Sequence, residues 1–161
     1  MLFRSVGTFA FRWFGIISNA TPVYSLNHPF LFYVEETTGQ ETGYYFPHSD
    51  SVIVAIAENL EMMNDALQRH YNAQLVFMPI PNKYTIYHTL VNSDTYDDFL
   101  PRLCGEAERR GVRTIQLFQR FKDSKDILYF PTDSHWNERG MMIALDETLK
   151  VLRSLHEERV Q

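Results

Sequence analysis

Leu75-Val76-Phe77-Met78, closed by Pro79-Ile80-Pro81, is the stretch on which the fold turns. Four successive apolar residues leave no face for water, which predicts a strand covered on both sides. Pro79 and Pro81 stop it, because proline has no N–H to give to a ladder. Just upstream, Ser49 or Asp50 is placed to cap a helix in which Ile53, Ile56, Leu60, Met63 and Leu67 recur at steps of three and four. Those five form the predicted buried stripe, with Glu58, Glu61, Asn64, Asp65 and Gln68 facing away, and the helix ends near Tyr71-Asn72. Downstream, a second helix covers about Tyr96 to Arg110 and turns Phe99, Leu100, Leu103 and Ala107 inward. Gly111 suits the position just past its end. Val112 to Phe118 then reads as another strand. A final helix runs from near Asn137 to about Glu158, with Met141, Leu145, Leu149, Leu152 and Leu155 as its apolar face.

Helix, strand, helix, strand, loop, helix is the order of an α/β domain. Crossover helices imply a three-layer α/β/α arrangement around a mostly parallel sheet. Ligands in such sheets bind beyond the carboxyl ends of the strands. The loops Pro79 to Tyr87 and Tyr129 to Asn137 are expected to meet at one such end. Nearer the start, Asn19-Ala20-Thr21-Pro22 and Leu26-Asn27-His28-Pro29 are turn signals. Phe30 to Val34 reads as a strand, Thr37 to Gly43 as a loop, and Tyr44 to Pro47 as an aromatic stretch. The aromatic-rich segment 1–24 precedes the domain at 25–161. Leu2 to Ile17, broken by Arg4 and Arg12, is too short and too charged to span a bilayer, and no small-residue cleavage pattern follows it.

With 161 residues, the chain is long enough for one domain with a sizeable core. A net charge of −5 and a pI near 5.6 argue against nucleic acid as a partner. Lys and Arg are scattered, apart from Arg109, Arg110 and Arg113. The single cysteine, Cys104, excludes an internal disulfide and a Cys-based metal site, and on its helix it reads as a buried inert thiol. No cofactor signature is present. His28, His48, His70, His88 and His156 are dispersed, and a zinc site needs three or four converging ligands. A metallohydrolase would require a third His beside Asp133 and His135. Glu35 and Glu36, as a paired-carboxylate glycosidase site, point to opposite faces of a strand.

The chemistry-bearing run is Tyr129-Phe130-Pro131-Thr132-Asp133-Ser134-His135-Trp136-Asn137-Glu138-Arg139-Gly140. An Asp two residues from a His can fix the imidazole tautomer and support its positive charge, which makes the His a general base for a hydroxyl. Trp136 is expected to shield the pair, Asn137 to cap the last helix, and Gly140 to permit close packing. The bland alternative is a surface loop in which Asp133 caps that helix and His135 packs beside Trp136. Lys83, after Pro-Ile-Pro, is a candidate to reach a sugar or a carboxylate. Tyr87 and Trp136 are candidates for substrate contact. Against this stand a solvent-exposed lysine and packing aromatics.

Tyr-x-Pro-Thr-Asp-Ser-His-Trp-Asn-x-x-Gly resembles the D-x-H-W signature of SGNH hydrolase-like proteins of the alginate O-acetyltransferase type. Phe30-Leu31-Phe32-Tyr33, Phe77 to Tyr87 and Gly111 to Leu117 resemble the strands that accompany it, and the likeness spans roughly residues 25 to 155. The resemblance implies an SGNH hydrolase-like, flavodoxin-like fold. It also implies a Ser-His-Asp triad in which His135 is the base and Asp133 its orienting carboxylate. The activity implied is acetyl transfer to exopolysaccharide hydroxyls through an acyl-serine, or acyl-ester hydrolysis. The implied partners are a polysaccharide or acyl-ester substrate and an acyl donor, a membrane-bound acyltransferase being one source. The implied location is periplasmic or membrane-tethered outside the cytoplasm.

One departure matters. In this branch the nucleophile sits in a Gly-Asp-Ser motif downstream of D-x-H-W, and no Gly-Asp-Ser occurs here. Ser134 lies between the pair, Ser49 and Ser51 sit at a helix start, and Ser154 is late on the last helix. The expectation is a first part of a longer enzyme or a truncated homologue, inactive in acyl transfer by itself. The competing reading is a carbohydrate-binding or scaffold module that keeps the fold without the serine.

Overall fold

A computed structural model describes residues 20–23, 30–33, 47–90 and 96–160. The aromatic start, the Leu26–Pro29 turn, Glu35, Glu36 and the Thr37–Gly43 loop lie outside the described residues. The segment around Pro22 is a strand rather than a turn: β1 (Ala20–Val23) pairs antiparallel with β2 (Phe30–Tyr33), with Pro22 opposite Leu31. A two-stranded ladder has only edge strands, where proline is tolerated.

The centre is the predicted α/β unit. Helix α1 (Asp50–Tyr71) leads into β3 (Val76–Phe77). A crossover through α2 (Lys83–Tyr87), a 3₁₀ turn (His88–Leu90) and α3 (Phe99–Arg109) returns to β4 (Arg113–Thr114). The two strands are parallel, Val76 beside Arg113 and Phe77 beside Thr114, and Ile115 N–H extends the ladder to the Phe77 carbonyl at 2.9 Å. Among the described residues, the strands therefore form one antiparallel and one parallel pair.

Side-chain alternation along β3 makes three layers. Phe77 joins Ile53, Ala57 and Leu103 between α1 and α3, and Cys104 is buried on the same helix with its thiol pushed up to about 11, chiefly by burial. Val76 and Met78 face the other way, onto Ile115, Leu117, Phe121, Leu128, Tyr129 and Ala144. That second layer holds α4 (Phe118–Lys122) and α5 (Glu138–Val160). β4 ends at Thr114 with one further ladder bond from Ile115, and Phe118, the last residue of the predicted strand, opens α4 instead, which buries Phe118 and Phe121 three residues apart.

Two predicted helix faces are corrected. On α1 the buried line runs through Ile53, Ala57 and Asn64, while Met63 is 54% exposed. Asn64, expected outside, accepts the Leu75 N–H at 3.0 Å and so steers the chain into β3. On α5 the contact face is Ala144, Ile143 and Val151, whereas Met141, Leu145, Leu149 and Leu152 are 40–50% exposed. Ala144 is buried at 4% exposure in the same cluster as Leu117 and Leu128, whereas the leucine-rich face is left open. A Cβ added at Gly140 would lie 2.7 Å from the Leu128 carbonyl oxygen, so the start of α5 also depends on close approach.

Candidate active site

The D-x-H-W run is a narrow reversal of the chain. Asn137 N–H donates to the Leu128 carbonyl at 2.8 Å, Tyr129 bridges Trp136 antiparallel, and Phe130 N–H donates to the His135 carbonyl at 3.0 Å. Asp133 lies at the closed end. Asn137 then caps α5, its Oδ1 accepting from the N–H groups of Arg139 (2.9 Å) and Gly140 (3.2 Å), and its Nδ2 donates to the Ile127 carbonyl at 2.7 Å. The cap falls to Asn137 and leaves Asp133 available to His135.

Asp133 Oδ1 accepts from the His135 backbone N–H at 2.8 Å and also meets the His135 ring at Nδ1. The first contact fixes the turn, and the second fixes the ring. The backbone N–H and then the ring of His135 hold the Asp133 carboxyl below its ordinary value of 3.8, helped by the charges of His135 and Lys83. A carboxylate accepts only, so it selects the tautomer with the proton on Nδ1 and leaves Nε2 as the basic nitrogen. The pair is open to solvent, with the His135 side chain 80% exposed. Trp136 does not shield it: its ring packs inward, 6.1 Å from that of Phe121.

Lys83 departs most from expectation. It is 1% exposed, and its ammonium donates to four backbone carbonyls: Leu31 at 2.7 Å, Phe130 and Pro131 at 2.8 Å, and Asp133 at 3.0 Å. An ammonium placed this way grips the loop from inside instead of reaching outward for a sugar. Asn82 caps α2 by accepting the Thr85 N–H, and that short helix aims Lys83 at the loop. Tyr87, one turn on, accepts the Leu128 N–H at 2.9 Å on its hydroxyl, and burial pushes its phenol up. Its ring meets Tyr129 edge-on at 5.9 Å, and Tyr129 in turn donates to the Pro81 carbonyl. The two loops expected to meet do meet, through these contacts.

Sequence reasoning missed the carbonyls of Leu31, Phe130 and Pro131, because backbone acceptors leave no mark on residue type. No serine hydroxyl among the described residues hydrogen-bonds to His135. Ser49 and Ser51 bond to each other at 2.8 Å, and Ser154 donates to Glu158. Among the described residues no three His, Cys, Asp or Glu converge as a metal site would require. No described helix is long and apolar enough to cross a membrane.

No curated protein matches the chain. Among solved structures it is similar to the O-acetyltransferase domain of Pseudomonas putida AlgJ, with a TM-score of 0.58 at 18% identity over 89% of this chain. The match covers 49% of that structure, so the chain spans about half its length. At that identity the likeness speaks for the α/β fold. Residues 30–160, from the first residue of β2 to the last of α5, match the family described as SGNH hydrolase-like domain, acetyltransferase AlgX. Matched over that length, the chain belongs to the AlgX-type family of SGNH hydrolase-like acetyltransferase domains.

Proposed function

We propose that His135 is the general base, and Asp133 its orienting carboxylate, of a Ser-His-Asp acyl-transfer triad acting on a polysaccharide outside the cytoplasm. The observation that supports this is the double grip of the Asp133 carboxylate on His135, at its N–H and at Nδ1. His135 Nε2 takes the proton of a serine hydroxyl as its oxygen attacks an acetyl carbonyl. The tetrahedral intermediate expels the donor alcohol, which leaves with that proton. The acyl-serine then passes its acetyl group to a sugar hydroxyl by the same two proton transfers in the same order. Asp133 holds the ring and supports the imidazolium without taking up the proton itself. Family membership supports an acetylated glycan as the substrate class.

The test is glycan-dependent acetyl release from p-nitrophenyl acetate by a longer protein in which a serine-bearing segment follows this chain, beside Asp133→Asn and His135→Ala in the same protein. Each substitution is expected to lower the rate about 10²-fold, the lower end of what a positioned general base contributes. Equal rates in all three proteins break this reading. The absence of a Gly-Asp-Ser triplet favours a second reading, a carbohydrate-binding module. That reading predicts glycan binding without ester turnover, unchanged by either substitution.

A further inference from the structure

We propose that the carbonyls of Leu31, Phe130, Pro131 and Asp133 form a monovalent-cation site, and that Lys83 is the tethered cation whose presence positions the Asp133–His135 loop. The proposal takes its functional meaning from the acyl-transfer reading, but its geometry stands apart from it.

The four oxygens lie 2.7–3.0 Å from Lys83 Nζ. An ammonium has three protons, so four acceptors at this range outnumber its directed hydrogen bonds. The arrangement is a shell of oxygens around a positive charge. Four carbonyl dipoles turned on one point repel one another unless a cation occupies that point. Lys83 is 1% exposed, so water is a poor substitute there.

The origin of the oxygens gives the site its consequence. Phe130, Pro131 and Asp133 lie within the five residues before His135. Leu31 is on β2, and its own N–H donates to the Pro131 carbonyl at 2.8 Å. The cation therefore pins the reversal to β2 by one residue whose carbonyl also carries that strand's hydrogen bond. The backbone of Asp133 is fixed on the inner side, so its carboxylate projects outward to His135. The backbone bonds of the reversal, such as Phe130 N–H to the His135 carbonyl, do not themselves turn four carbonyls on one point; without the charge those carbonyls move apart, and the Asp133 side chain shifts its bearing on the imidazole. Lys83 is thus a positioning residue that acts through backbone.

The experiment uses the intact chain and ¹⁵N NMR. In the unaltered protein at neutral pH, the Lys83 ammonium protons should exchange slowly enough to be seen, unlike those of exposed Lys122 and Lys150. The His135 ring should show the Nδ1–H tautomer. Lys83→Met keeps an apolar stem out to Cε and removes the charged nitrogen, and His135 should then lose that tautomer signature. Lys83→Ala should lose it as well and regain it, saturably, with propylammonium, which replaces Cγ to Nζ, but not with neutral propanol.

A Lys83→Met protein that keeps the wild-type His135 signature overturns the proposal. So do Lys83 protons that exchange as fast as those of surface lysines, a measurement that needs no variant to fold. Ester turnover is not a readout here. A Lys83-dependent tautomer in this chain, together with no ester turnover by the longer serine-bearing protein, would sink the proposed function and leave the cation site standing.

Discussion

The α1–α3 flank of β3 and the site-bearing loop beyond its other flank are held together by different physics. On the α1–α3 side, Ile53, Ala57 and Leu103 close over Phe77 with almost no exposed surface, and Arg110 bridges Glu61 (2.8 Å) and Glu106 (2.9 Å) at the rim. On the loop side, the residues that matter chemically are exposed, and their order comes from hydrogen bonds to one buried ammonium, one carboxylate and one asparagine. Apolar burial is non-directional and grows with area. Hydrogen bonds to charged groups are directional and are lost one partner at a time. The first flank therefore supplies stability and the loop's hydrogen bonds supply the geometry of the site, and each should fail without taking the other with it.

The largest expected effect breaks the first flank. Leu103→Ala should remove about 3 kcal/mol and lower the thermal midpoint by roughly 6–12 °C, because a large side chain leaves a cavity in a closed cluster. While the protein stays folded, the His135 ring signals should keep their positions. A Leu103→Ala protein with displaced His135 signals would show that the flanks are not independent.

Gly140→Ala attacks the second flank. The new Cβ would sit 2.7 Å from the Leu128 carbonyl oxygen and 3.0 Å from Trp136 Cβ, so the start of α5 must move away from the reversal. About 2 kcal/mol of destabilisation is expected from such overpacking. The distinguishing result is a shift of the Trp136 indole N–H and the His135 amide that exceeds any shift at Leu103. Uniform small shifts would mean that the helix absorbs the methyl group without disturbing the site.

Sequence patterns read the first flank better than the second. The end of α3 was legible because Gly111 takes φ 78°, and the N–H groups of Gly111 and Val112 close on the carbonyls of Glu108 and Ala107. The Asp133–His135 pair was legible because its partners are two residues apart. The role of Lys83 was not, because its acceptors are backbone atoms contributed by residues about fifty positions away, on β2 and the reversal. The inner face of α5 was misread for a related reason. Periodicity finds the richest leucine stripe, but contact is made through Ala144, Ile143 and Val151, and at Gly140, where the missing Cβ lets the backbone approach the Leu128 carbonyl. Side-chain periodicity sees neither backbone acceptors nor the room a small residue leaves.

The smallest expected effect is the most local, and it sharpens the comparison through pH. The Asp133 carboxyl is held below its ordinary 3.8, first by the His135 N–H, then by the His135 ring, and then by the nearby charges of His135 and Lys83. Its folded midpoint is therefore below its unfolded one, and the unfolded chain binds the proton first as pH falls. The carboxylate's contribution to stability is fully present above about pH 4 and is lost as acidification passes through the folded midpoint. With the side chain 51% exposed, solvent screening keeps that contribution small, so the midpoint itself is the better measurement. A ¹³C titration of the Asp133 carboxyl should find it below 3.8 in the intact protein. His135→Ala deletes the ring but keeps the N–H, so the midpoint should rise only part of the way back. A full return to the ordinary value would mean that the ring, and not the turn of the backbone, holds the carboxylate. The loop flank would then owe its order to a side-chain pair instead of a folded frame.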